Sequence, residues 1–321
     1  MKTKTKIWIV IATAFIVVGG ILFVGVMAKL NWDFTKLSTF KHQTNTYEIS
    51  DAFENISINT DTAEVEFKTT DSENCIVECY EEEKVKHEVM VENNTLTIKI
   101  VDSRKWYEYV GINFDSTKIT IYLPLTQYGS LFIESDTSDV EISNDFTFKD
   151  VDISLSTGEV DFCANVTDAI KIETSTGDIS IEDITAGSLD ITVSTGEVEV
   201  SNVKCEGDIL VGVSTGKTYL SDTKCKKIIS KGSTGDIYIN NVTALELFSI
   251  ERSTGDVKIE NSDATEIFIK TDTGDVFGSL LTEKVFITQS GTGKIIVPSS
   301  VNGGRCEIIT STGNIRFTIN N

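Results

Sequence analysis

The chain has 321 residues, 40% of them hydrophobic, enough for one large or two modest domains with a packed core. Its formal charge of −21 at pH 7 excludes nucleic acid and anionic lipid surfaces as partners, since both would repel it, and favours metal cations or basic partners. With two histidines in the whole sequence, the catalytic options are narrow from the start.

At the N-terminus, Lys2, Lys4 and Lys6 precede an uncharged run from Ile7 to Ala28. As a helix this run would be about 33 Å long, enough to cross the hydrocarbon core of a bilayer. The basic flank stays in the cytoplasm and sends the rest outward. Residues 1–28 are therefore expected to form a basic flank and a single-pass transmembrane anchor in the cell membrane, with the C-terminal part extracytoplasmic. A cleaved signal peptide is the rival reading, because Val26 and Ala28 suit a cleavage site; the run is longer than a usual signal core, which favours the anchor. Residues 29–46 read as a stalk.

Residues 47–135 carry strand-like segments, among them "ISINTDTAEVEF", "NCIVECYEEE", "TLTIKIV" and "KITIYLPL", joined by polar or acidic links without a fixed period. This region is expected to be an irregular, antiparallel or mixed β cap. Cys75 and Cys79 share a strand face but lie roughly 13 Å apart along it, too far to bridge each other. "KWYEYV" at 105–110 is the most aromatic stretch outside the membrane segment. Trp106, Tyr107 and Tyr109 are there the candidate ligand-contact patch, for a sugar polymer or a protein; the alternative is that they form the core of the cap.

From residue 136 to 321 one turn recurs. Ser-Thr-Gly ends at Gly158, Gly177, Gly196, Gly216, Gly235, Gly255 and Gly313, and Asp-Thr-Gly and Gly-Thr-Gly fill the gap at Gly274 and Gly293. The spacing is 19 or 20 residues throughout, and Ser138 holds the equivalent slot one step earlier. Alternating apolar strands flank each turn, for example Ile170/Ile172 before Gly177 and Ile179/Ile181 after it. Two short strands per repeat at so constant a period stack in parallel on their counterparts one repeat away. The expected fold is all-β: a parallel β-helix or solenoid of about nine coils, capped at its N-terminal end and preceded by one transmembrane helix. Glycine supplies the positive φ of the sharp corner, and the threonine before it is expected to hydrogen-bond from coil to coil. The final "GNIRFTINN" stops half a coil past the last turn and reads as an open edge.

The STGDI and STGEV turns between 156 and 316, with the entry "ITIYLPLTQYGSLFIESDTSDVEI" at 119–142, resemble the bacterial putative-adhesin family of β-strand-repeat proteins, a domain of unknown function common in Gram-positive bacteria. The likeness covers roughly residues 50–321. It implies the solenoid fold and an association with the cell envelope, and it offers no catalytic residues to carry over.

Three further features of the repeats bear on function. Acidic residues follow the glycines at Asp139, Glu159, Asp178, Glu197, Asp236, Asp256 and Asp275. In register these carboxylates stand about 5 Å apart. Asp178, Glu197, Asp236, Asp256 and Asp275 are the candidate Ca²⁺ ladder, against the reading that they are a solvated charged edge; Lys217, Lys294 and Asn314 interrupt the row. Thr-x-Thr at 174/176, 271/273 and 310/312 does not extend into a two-row ice-binding face, since Leu155, Val193, Val213, Gly232 and Arg252 occupy the same slot elsewhere. Cys205 and Cys225 each lie nine residues after their glycine, so they are stacked neighbours: either a disulfide or two small buried thiols. Cys163 and Cys306 have no such partner, and no histidine joins a cysteine pair, so cysteine-based metal binding is not expected.

Neither His42 nor His87 lies in the coils, which excludes a Ser-His-Asp arrangement on the rod. Nucleophile elbows, phosphate loops and His-Glu metal motifs are absent from the sequence. The protein is expected not to be an enzyme, and no cofactor is expected apart from Ca²⁺. The first reading is a membrane-anchored binding or scaffold protein of the envelope, with a wall or surface polymer as partner. The second is an accessory of envelope-stress signalling acting through a membrane protein. The third is a surface-glycan-cleaving enzyme that works through carboxylates.

Overall fold

The computed structural model describes residues 3–37, 40–109 and 115–320. Residues 38 and 39 of the stalk, and Val110 at the end of the aromatic stretch, lie outside that set. The apolar run forms a helix, Thr3–Lys29, long and apolar enough to cross a membrane and suited to either an anchor or a signal sequence.

The rest is nearly all β, a solenoid of about ten coils. A typical coil has a long strand, Thr185–Thr195, a glycine corner, a short strand, Val198–Ser201, and a second corner. Both strands pair in parallel with the next coil, Ile191 opposite Val211 and Val198 opposite Thr218. The inward positions form one continuous core: Ile172, Ile191 and Val211 from the long strands, Ile181, Val200 and Leu220 from the short ones. The first threonine of each Thr-x-Thr also points inward. Thr174, Thr271 and Thr310 are buried, and the last two donate to the carbonyls of Gly255 and Gly274 at 3.2 and 3.1 Å.

Two constraints meet at the glycine corner. Gly216 has φ +142°, a conformation nearly closed to other residues, and a Cβ there would lie 1.7 Å from the carbonyl oxygen of Gly196. The corner is closed by backbone rather than by the threonine hydroxyls expected from the sequence: the Gly216 N–H donates to the Thr234 carbonyl at 2.9 Å, as Gly158 does to Thr176. The threonine side chains stand in solvent. The second corner uses Asp or Asn in the left-handed region, with φ of 58° at Asp183, 50° at Asn202, 48° at Asp222, 56° at Asn241 and 46° at Asn261. These are the two residue types that tolerate it best after glycine. Their side chains stack, Asn202 Nδ2 donating to Asp183 Oδ1 at 2.6 Å.

At the N-terminal end the solenoid begins earlier than the glycine period indicates. Strands Asn55–Thr60 and Glu64–Thr70 stack in parallel on the coil at 127–142, with Ile58 opposite Ile133 and Val65 opposite Val140. Part of the region read as an irregular cap is thus a coil, hidden because its corner is Asp61-Thr62-Ala63. The cap proper is an excursion between residues 71 and 126. Thr95–Asp102 and Lys118–Pro124 continue the parallel stacking on that coil, while Cys75–Glu82, Val85–Glu92 and His42–Ile49 add antiparallel pairings. The core of this end is closed by aromatic packing among Phe67, Phe146, Phe148 and Tyr128.

At the C-terminal end the coils are not in sequence order. The last coil, Gly304–Thr312 with Ile315–Ile319, lies between the coil at 263–280 and the coil at 284–296: Ile308 faces Ile269 on one side and Thr288 on the other. Ile315–Ile319 of "GNIRFTINN" is therefore an interior strand, and the edge belongs to Lys284–Thr292 and Ile295–Ile296, correcting the sequence expectation; Asn321 lies outside the described residues. Asn314 explains the order in part. Its N–H and side-chain amide donate to Asp275, while its Oδ1 accepts the Lys294 N–H at 3.0 Å. Lys284 reaches across the inserted coil to Asp263 at 2.6 Å in a nearly buried ion pair.

Candidate functional site

The excursion between 71 and 126 folds a cleft against the first coil. Two adjoining cavities of about 320 and 310 Å³ share Phe40, Glu82 and Arg104 as wall. Lys41, Lys84 and Glu108 line the first; Thr60, Asp61, His87 and Tyr109 line the second. The aromatic stretch forms the lip as a short 3₁₀ turn, Trp106–Tyr109.

The lip is held by charge, with its three rings largely exposed. Arg104 grips Asp102 with Nη2 at 2.7 Å and Nε at 3.0 Å, and its guanidinium lies 4.5 Å over the Tyr109 ring. The Tyr109 hydroxyl donates to the same carboxylate at 3.1 Å. Hydrogen bonds from Arg104 hold the Asp102 carboxyl down at about 2. Its contribution is therefore present above the ordinary carboxylate range and is lost only as pH falls through about 2. Glu108 accepts the Lys105 N–H at 2.9 Å and pairs with Lys84. Trp106 is 84% exposed, Tyr107 53% and Tyr109 56%, so the three candidate contact residues project to solvent and are not the core of the cap.

The floor carries a buried polar chain. The turn after Glu82 brings Val85–Glu92 back so that His87 meets both its own hairpin and the first coil. His87 Nδ1 lies 2.8 Å from Glu81 Oε2, and Nε2 lies 2.9 Å from Thr60 Oγ1. The His87 N–H donates to Glu81 Oε2 at 2.6 Å, and Asn45 Nδ2 donates to Oε1 at 2.5 Å. The sulfur of Cys79, an imidazole nitrogen of His87 and a Glu81 oxygen lie within 4.8 Å of one another. His87 lies outside the repeats, as the sequence indicates, but the hairpin sets it against Thr60 of the first coil and beside a single cysteine, Cys79. The available signal was Cys79-x-Glu81, two like-facing positions on one strand, followed by a tight turn and His87.

The Ca²⁺ ladder residues are occupied with the backbone. Asp178 Oδ1 accepts the Glu197 N–H at 2.6 Å, Asp236 that of Asp256 at 2.9 Å, Asp256 that of Asp275 at 2.8 Å, and Asp275 that of Asn314 at 2.7 Å. Aspartate is short enough to cap the next coil; Glu197, one methylene longer, instead approaches Lys217 at 3.9 Å. Among the described residues the ladder carboxylates do not converge in threes. Asp178 and Glu197 do line a small acidic groove of about 120 Å³ on the flank.

Cys205 and Cys225 lie in the interiors of consecutive coils as free thiols, and burial pushes Cys225 up to about 12. Arg252 is a residue that sequence reasoning passed over. It is 4% exposed, donates to Thr218 Oγ1 and Ser230 Oγ at 3.2 Å each, and its Nε has no partner among the described residues. Gly232 makes room for it, since a Cβ there would lie 2.2 Å from the guanidinium. Burial alone pulls the Arg252 group down to about 10.

Several solved structures are similar to the chain over most of its length. A structure described as a putative adhesin from Bacteroides fragilis NCTC 9343 is 16% identical, with a TM-score of 0.44 over 87% of this chain and 97% of that one. A putative adhesin from Parabacteroides distasonis ATCC 8503 is 14% identical, with a TM-score of 0.47 over 86% and 97%. A putative lipid-binding protein from the same strain is 14% identical, with a TM-score of 0.44 over 85% and 96%. No curated protein matches the chain. Residues 53–212 match the family model described as Toastrack DUF4097, beginning at the first coil. The chain carries a Toastrack DUF4097 domain, a domain of unknown function.

Proposed function

We propose that this protein is a non-catalytic, membrane-anchored binding protein of the cell envelope that holds a wall or surface polymer at its capped end. The observation that carries this reading is the lip. Three exposed aromatic rings, of which Tyr109 is pinned by the Arg104–Asp102 clamp and Trp106 stands edge-on to Tyr107, lie beside a cleft that offers Lys, Arg, Glu and Thr side chains. Exposed, positioned aromatics next to fixed hydrogen-bonding groups suit sugar rings, which present apolar faces and polar edges. The coils serve as a rigid stand.

The test is co-sedimentation of the full chain, purified in detergent, with cell-wall sacculi, with and without millimolar Ca²⁺. Saturable binding that Ca²⁺ leaves unchanged is the expected result, because the ladder aspartates are engaged with backbone N–H groups. Absence of binding in both conditions overturns the polymer reading; calcium dependence moves the site to the ladder.

The position of the cleft favours a second reading, a membrane-protein partner. Phe40 and Lys41 line it, and ten residues of chain, 30–39, lie between the end of the helix at Lys29 and Phe40. The cleft is thus tethered within about 40 Å of the membrane surface. Exposed Trp32 and Phe34 follow the helix as residues suited to the interface. Cross-linking from the lip that captures an integral membrane protein in cells, with no binding to sacculi, would favour this reading.

A further inference from the structure

We propose that Cys79, Glu81 and His87 form a structural zinc site that ties the cap to the first coil. Cys79 and Glu81 alternate onto one face of strand Cys75–Glu82, and the following hairpin lays His87 beside them. All three are buried, with ligand atoms within 4.8 Å of one another. Thiolate, carboxylate and imidazole together are a donor set that suits zinc, whereas calcium and magnesium take oxygen alone.

Two observations beyond the cluster support the assignment. The groups that orient metal ligands are in place: Thr60 Oγ1 on the far nitrogen of His87 at 2.9 Å, and Asn45 Nδ2 on the second oxygen of Glu81 at 2.5 Å. The charges also close. A dication held by one thiolate, one carboxylate and a neutral imidazole is a neutral unit, the form that burial tolerates best. An approach exists through the 310 Å³ cavity, which His87 and Thr60 line.

Loading is balanced in atoms. Zn²⁺ bonds to Cys79 Sγ as the thiol proton leaves to solvent. The His87 proton moves from Nδ1 to Nε2, where it donates to Thr60, and Nδ1 and a Glu81 oxygen complete three bonds. Water supplies the fourth ligand. The His87–Glu81 contact opens from 2.8 Å to about 3.3 Å, the separation of two ligands about a tetrahedral zinc.

The test is zinc content of the full chain, purified in detergent, exposed to zinc and dialysed against metal-free buffer. About one zinc per chain is expected, falling at least about tenfold in Cys79→Ser and in His87→Gln, while Cys225→Ser keeps it. Cobalt(II) should give a thiolate-to-metal charge-transfer band that Cys79→Ser lacks. If those variants misfold, Thr60→Val should fold and bind about 10–100-fold more weakly. No retained zinc in the wild type, or zinc retained in full by folded Cys79→Ser, overturns the site.

Discussion

The two ends of the solenoid solve the same problem differently. At the N-terminal end the chain leaves the first coil for the excursion at 71–126, builds two more stacked strands and an antiparallel cover, and buries Phe67, Phe146 and Phe148 completely or nearly so. At the C-terminal end the chain turns back, inserts its last strands inside the stack, and leaves the coil at 284–296 outermost. There Phe286 and Val297 are only partly covered, and Ile295, stacked on the fully buried Ile315, is 41% exposed. Residues 285–303 carry Lys294 as their one charged side chain. Coils thus continue wherever the period holds, whereas the two adjoining cavities, the projecting rings and the buried Glu81–His87 pair arise where the chain departs from it.

The largest effect should come from the body, where both constraints on the corner act. Gly216→Val places a Cβ on the Gly196 carbonyl in a backbone region closed to valine, and should cost on the order of 3 kcal/mol or more in denaturant titration. A similar loss should separate the body from the open end. Phe248→Ala empties a fully buried site and should cost about 3–5 kcal/mol, while Phe286→Ala should cost less than half as much. Equal losses would mean that the end is closed in solution.

Arg252 is a buried cation inside the body. Its guanidinium is buried without a carboxylate, so Arg252→Met should raise stability by about 1–4 kcal/mol. The pH dependence has a definite sign. The folded-state value of about 10 lies below the unfolded one, so the unfolded chain binds the proton more tightly. The wild-type penalty is therefore fully present below pH 10 and fades as pH rises above it, narrowing the gap to Arg252→Met. The smallest effect should be at the aspartate ladder: Asp256→Ala removes one acceptor for the Asp275 N–H and should cost about 1 kcal/mol.

Much of the body was legible because Ser-Thr-Gly marks the one corner where a side chain cannot fit. The second corner carries an equally regular signal, Asp183, Asn202, Asp222, Asn241 and Asn261 at the same 19–20-residue step, but Asp and Asn are common enough in polar turns to hide it. The first coil was missed because Ala63 stands in its glycine slot. Coil order at the C-terminal end could not be read at all, since equivalent repeats have equivalent sequences and only pairs such as Lys284–Asp263 and Asn314–Asp275 distinguish them. The aromatic lip was visible as composition. Its clamp, and the meeting of Thr60, Glu81 and His87, depend on a hairpin folding onto a coil, which no local spacing encodes.

In the proposed function the coils are a stand and the capped end makes the contact. The most direct test is sacculus co-sedimentation of the full chain, comparing wild type with the triple variant Trp106→Ala, Tyr107→Ala, Tyr109→Ala and with Asp178→Asn, Asp236→Asn on the ladder. The triple variant, folded by circular dichroism, should lose at least about tenfold in affinity while the ladder variant binds as wild type. Undiminished binding by the triple variant would contradict it.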